Sequence, residues 1–133
     1  MSTVRQIAAA LALALAAAGC TTVRESADFT GVKVDAGLEP ATLLEVENTG
    51  WFLLNYIPLG SGEPNEPNCV SFRPFANTVT LQSNIRVLER EMERRGVSRF
   101  VNLTSRWTDE KVFVILLARR AYHTSAVLVK EKQ

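Results

Sequence analysis

The side chains that could do chemistry in this chain are few and far apart. Of 133 residues, two are cysteine, Cys20 and Cys69, and one is histidine, His123. A catalytic thiol needs a base within hydrogen-bond reach, and nothing in the spacing of Cys69 and His123 brings them together. A metal site needs several His, Cys, Asp or Glu ligands on neighbouring elements. A lone histidine and scattered acids supply no such set, so no metal and no cofactor is expected. Asp109 and Glu110 are adjacent in what reads as a turn, so they diverge rather than flank a substrate. Gly60-Ser61-Gly62 lacks the lysine of a phosphate-binding loop, and no Gly-x-Ser-x-Gly elbow occurs. These patterns point away from an enzyme.

Charge offers a second kind of chemistry. The chain has 15 basic and 14 acidic side chains, a net charge of +1, but they are unevenly placed. Residues 20–68 carry eight acids against Arg24 and Lys33, whereas residues 69–133 carry twelve cations against six acids. Arg86, Arg90 and Arg94 recur every fourth residue, which lines them along one helix face, and Arg99 follows. Such a row could bind an anionic lipid or lipopolysaccharide. More often such a row is a solvated face, steadied here by Arg86–Glu89, Arg90–Glu93 and Glu91–Arg95 pairs. No nucleic-acid-binding motif accompanies the arginines, so nucleic acid is not an expected partner.

Cys20 sits in a different context. Met1–Gln6 is polar with the single cation Arg5, Ile7–Ala18 is uninterruptedly apolar, and small residues fill positions 16 to 19. The apolar run suits a secretory signal and falls short of the ~20 residues of a spanning helix. Ala17-Ala18-Gly19-Cys20 resembles the lipobox of bacterial lipoproteins, with Ala17 where leucine is favoured and Leu15 two places earlier. The resemblance implies cleavage between Gly19 and Cys20, a diacylglyceryl thioether on the Cys20 sulfur and an acyl chain on its nitrogen. It implies an exported protein held to a bilayer through Cys20. Thr21, where an aspartate would signal retention at the inner membrane, implies the outer membrane, facing the periplasm. Three acyl chains on one residue would make release negligible, since each buried methylene contributes ~0.8 kcal/mol. With Cys20 acylated, Cys69 is left to be buried and inert, to form an intermolecular disulfide, or to react.

The elements that must carry these residues follow from periodicity and turn chemistry. Residues 1–19 read as the signal, 20–40 as a polar lipid-attached tether and 41–133 as one small domain. Leu43–Glu47 and Trp51–Ile57, joined at Asn48-Thr49-Gly50, read as a hairpin. Residues 58–77 hold four of the five prolines and read as a long irregular loop, either a recognition surface or a cover with Val70, Phe72 and Phe75 packed down. Leu81–Arg95 reads as a helix with Thr78 or Thr80 capping its start and Gly96 its end. Leu81, Ile85, Leu88 and Met92 make its inward stripe. Phe100–Trp107 alternates as a strand, Thr108-Asp109-Glu110 turns, and the apolar Val112–Ala118 reads as a central strand covered on both faces. Arg119–His123 reads as a bend and Thr124–Lys130 as a last strand.

The sum is an α+β fold: an antiparallel or mixed sheet of about five strands with one main helix on a face, preceded by a signal helix and a tether. The segments "GWFLLNYIPLGSG", "TLQSNIRVLEREMERRGVSRFVNLTS" and "TSAVLVK" are similar to small uncharacterised TRL-like bacterial lipoproteins. In those a helix ends at a glycine and feeds a strand, at places matched here by Gly96, Val101, Asn102 and Leu103. That resemblance implies a small α+β domain and brings no catalytic residues. The function expected is a non-enzymatic binding or scaffold module of the cell envelope, its partners the bilayer and another envelope protein. The alternative is direct binding of anionic lipid or lipopolysaccharide by the arginine-rich face.

Overall fold

A computed structural model describes residues 2–68, 71–113 and 116–132. Helix α1, Ser2–Ala18, leads into a strand β1 at Thr21–Ser26. Strands β2, Leu38–Leu53, β3, Ile57–Gly62, and β4, Phe72–Pro74, follow. Helix α2, Leu81–Arg95, then precedes two long strands, β5 at Arg99–Phe113 and β6 at Leu117–Glu131. The strands form one six-stranded sheet in the order β4-β3-β2-β6-β5, with β1 also on β2, and every pairing is antiparallel. The architecture is α+β.

The sheet is organised around β2, which pairs with β6 from end to end. Its other edge is shared. Residues 43–48 take β1 and residues 50–53 take β3, so β3 and β1 lie in line as two pieces of one strand. They meet where Gly62 abuts Cys20 and Thr21. A β-carbon on Gly62 would lie 2.3 Å from Thr21 N, so the junction closes only around a glycine.

Alternation along the strands builds two apolar clusters on opposite faces. Leu44, Val46, Ala126 and Leu128 meet Val87 and Leu88 of α2 and Val97 beyond it. On the reverse face Leu38, Val127 and Val129 are covered by Phe29, Val32 and Val34. Residues expected in a tether are therefore part of the body: Thr21–Ser26 is a strand, and the segment after it supplies apolar cover. The short polar run of β1 gave no local signal, because its partner, residues 43–48, lies far along the chain.

Helix α2 matches its expected bounds. Thr80 Oγ1 accepts from Ser83 N, and Gly96 adopts φ 62° with its N–H on Glu93 O. Its inward face is rotated from the expected stripe: Asn84, Val87, Leu88 and Glu91 are buried, while Leu81, Ile85 and Met92 are half-buried. Two of those inward residues are polar and partnered. Asn84 Nδ2 donates to Tyr122 O at 2.9 Å and Thr124 Oγ1 at 3.0 Å. Glu91 is 2.7 Å from Arg94 and 3.2 Å from Arg95.

Further expectations change. Asn48-Thr49-Gly50 is not a hairpin turn but lies within β2, and the hairpin turns instead at residues 54–56, between β2 and β3. Thr108-Asp109-Glu110 is mid-strand in β5, facing Ala121, Arg120 and Arg119 across the ladder. Arg119–His123 is straight β6 rather than a bend. Of the apolar run expected as a central strand, Val112 and Phe113 end β5, Leu116 is exposed, and Leu117 and Ala118 open β6, while residues 114 and 115 lie outside the described residues. The 58–77 segment contains β3 and β4. It is pinned by a buried knot in which Thr78 Oγ1 donates to Gly62 O at 2.6 Å and Asn48 Nδ2 reaches Thr78 Oγ1 at 3.3 Å. Phe72 lies over Gly60 and Phe75 is exposed, while Val70 lies outside the described residues.

Candidate functional site

The face of the sheet opposite α2 is polar over its middle, and side chains at every second position build it. Arg24, Glu45, Ser125 and Thr104 stand opposite one another on β1, β2, β6 and β5. Thr22, Glu47, His123 and Arg106 make the next row. Together they floor a cleft of about 460 Å³, in the size range of small-molecule sites. His123 Nδ1 lies 3.8 Å from Glu47 Oε2, and Arg119 Nη2 lies 3.9 Å from Glu47 Oε1. The Thr104 and Ser125 hydroxyls bond to each other at 2.6 Å. Among the described residues, no ion pair holds Arg24, Glu45 or Arg106.

Two guanidinium groups and two carboxylates facing one cleft suit a ligand that carries both signs of charge. Sequence reasoning missed this floor and placed His123 in a bend. The signal was present as polar residues spaced by two: Thr22 and Arg24, Glu45 and Glu47, Thr104 and Arg106, His123 and Ser125. Among the described residues there is no group of acids, histidine and cysteine close enough to hold a metal ion.

Cys20 lies beside this face, at the seam between β3 and β1. Its N–H donates to Thr49 Oγ1 at 2.8 Å, and its carbonyl accepts from Thr49 N at 2.9 Å. Its sulfur is disulfide-bonded. Gly19 before it and Thr21 after it are buried. Cys69 lies outside the described residues. Among the described residues no helix is long and apolar enough to cross a membrane.

The arginine row is dispersed by its partners. Arg90 Nη1 donates to Asn65 O at 2.8 Å and Nη2 to Asn65 Oδ1 at 2.7 Å, clipping α2 to the proline-rich loop. Arg94 holds Glu91, whereas Arg86 and Arg99 are exposed. Of the expected helix pairs, Glu91–Arg95 is present at 3.2 Å. Arg95 also takes Glu25 of β1. That hydrogen bond holds the Glu25 carboxyl below its ordinary range and raises the Arg95 guanidinium. Asp28 is likewise lowered, by hydrogen bonds from the Thr30 hydroxyl and then its N–H. Set beside known proteins, the chain matches no family model, no curated protein and no solved structure.

Proposed function

We propose that this chain is an envelope lipoprotein, anchored through acylated Cys20 at the outer membrane and facing the periplasm. There it acts as a non-enzymatic binding module whose ligand lies on the polar floor between Arg24 and Arg106. One observation carries the reading. The fold begins where the lipobox resemblance puts the cut: α1 ends at Ala18 and β1 starts at Thr21. Removal of residues 1–19 would leave the sheet ladder complete. An acylated nitrogen on Cys20 keeps its one N–H, the number that the bond to Thr49 Oγ1 uses. Thr21 is fully buried, so a sorting signal at that position is read before the domain folds.

A second reading rests on the Cys20 disulfide. A sulfur holds a thioether or a disulfide, not both. In this reading the chain is exported by an ordinary signal, cut nearby, and the cystine braces the β1–β3 seam. Intact mass measured on membrane-extracted protein, with and without reductant and globomycin, separates the two. The lipoprotein reading expects palmitate label that survives reduction and disappears in Cys20→Ser, and globomycin should hold the labelled chain at its uncut mass. An unacylated chain whose cysteines become alkylatable only after reduction overturns it in favour of the second. Ligand placement is tested separately: Arg106→Glu with Glu45→Lys should abolish crosslinking to the envelope partner without lowering membrane recovery.

A further inference from the structure

We propose that β5 is a docking edge for a second copy of this chain, the two β5 strands pairing antiparallel about a two-fold axis at Thr108. The inference rests neither on acylation of Cys20 nor on the ligand of the polar floor. β5 is the last strand of the sheet, and among the described residues no strand pairs its outer edge. A long open edge presents unpaired N–H and C=O groups and is a template for another chain unless something blunts it. The start of β5 is blunted. Its ladder to β6 shifts register between Val101 and Thr104, Asn102 bulges at φ 54°, and Asn102 Nδ2 donates to Lys33 O at 2.9 Å. From Ser105 to Lys111 the ladder is regular, and these residues are exposed except for the half-buried Thr108.

Symmetry and charge fix the register. Side chains alternate faces along a strand, so a two-fold axis normal to the sheet must pass through a residue that stands opposite its own copy. Within 105–111, an axis at Arg106, Asp109, Glu110 or Lys111 sets that charge against itself, which is destabilising. An axis at Ser105 or Trp107 leaves Arg106 opposite Thr104 or Thr108. The axis at Thr108 sets Arg106 opposite the second copy's Glu110, twice by symmetry, with Trp107 opposite Asp109 and Ser105 opposite Lys111.

The single chain leaves these charges unbalanced. Arg106 makes no ion pair among the described residues. Arg119 is shared by Glu110 at 3.6 Å and Glu47 at 3.9 Å, so that cluster holds one acid in excess, and the Glu110 side chain is 66% exposed. On the other face Trp107 is 54% exposed, and pairing covers it beside the second copy's Asp109, an acceptor for its indole N–H. A pattern self-complementary about one residue fits a second copy, whereas an unrelated strand would not require it. The axis keeps each face of the sheet on its own side, so the two polar floors run together into one trough. There the second copy's Glu110 flanks Arg106, whose guanidinium has N–H groups enough to meet that carboxylate and still face the cleft.

The test is disulfide crosslinking in native membranes, together with sedimentation of the full chain extracted from them in mild detergent. On oxidation Thr108→Cys should give a reductant-sensitive dimer above the level of the unaltered chain. Ser105→Cys and Lys111→Cys should give none above that level singly and should crosslink when coexpressed. Sedimentation should find twice the chain mass. Glu110→Arg should weaken association by about tenfold, since like charges then oppose each other at two symmetric positions. Adding Arg106→Glu to Glu110→Arg should restore it, which a local effect of either change on folding would not do. The mass of one chain at every concentration, self-crosslinking of Ser105→Cys equal to that of Thr108→Cys, or no recovery in the double variant overturns the proposal. Cys20 and Cys69 are common to all samples and Glu110 lies outside the cleft lining, so failure of the anchor or of the ligand reading is told apart.

Discussion

Arg95, in the last turn of α2, grips Glu25 of β1 at both ends of its guanidinium, Nη2 to Oε1 at 2.5 Å and Nη1 to Oε2 at 3.0 Å. The pair ties the helix to a short strand on the shared edge of β2, and the same guanidinium reaches the buried carboxylate of Glu91 at 3.2 Å. The local charge of the helix end is thereby matched across two elements rather than along one.

Because the Glu25 carboxyl is lowered by that hydrogen bond, its contribution has a definite sign with pH. A lowered native value stabilises the fold above the ordinary glutamate range, and the effect is lost as pH falls through the native value. Exposure and salt keep it small. Melting curves from neutral to strongly acid solution should place Glu25→Gln slightly below the unaltered protein at neutral pH, with the two converging in acid. A difference that persists at the acid end would remove the pair as its cause.

Leu88 is fully buried between α2 and the sheet, among Leu44, Val46 and Leu128. Leu88→Ala should lose about 2–5 kcal/mol of unfolding free energy in urea titration, the transfer of the removed atoms plus the cavity they leave. The half-buried Ile85, assigned to the core stripe by spacing alone, should cost clearly less on truncation.

Asn84 is fully buried and spans from α2 to the backbone of β6, to Thr124 and, at 3.3 Å, to Val46 O. Asn84→Ala strands those acceptors away from water. The expected loss is about 1–3 kcal/mol, visible as a lower urea midpoint. If Asn84→Leu were as stable as the unaltered chain, the amide would be dispensable.

A methyl group on Gly62 would run into Cys20 and Thr21 backbone atoms, whereas one on Gly37 would meet nothing within 4 Å. Gly62→Ala should therefore cost about 1–3 kcal/mol by overpacking, and Gly37→Ala should stay within about 0.5 kcal/mol of neutral. Hydrogen exchange should show the loss as faster exchange at Thr49, whose N–H bonds Cys20 across the seam.

How far these features were legible depends on the range of the forces behind them. The caps at Thr80 and Gly96 are satisfied within one turn, so residue type announces them. The long β5–β6 hairpin was broken in the reading at Asp109-Glu110, since acids beside a threonine favour turns. In the sheet those acids stand opposite Arg120 and Arg119, and cross-strand pairing outweighs local preference. The apolar run ending at Ala118 looked like an interior strand because hydropathy reports burial without saying what is buried against. The cleft was missed because each strand contributes only alternate residues to it, and the rows exist only once β1, β2, β6 and β5 are in register.

The split strand on the edge of β2 also has a mechanical meaning. Thr21 is level with Asn48 and Glu131 with Leu38, ten residues apart along β2, or about 33 Å. A body fixed by its first residue and tugged at its last would bear the pull lengthwise, loading the rungs between β1, β2 and β6 in parallel instead of peeling them one by one.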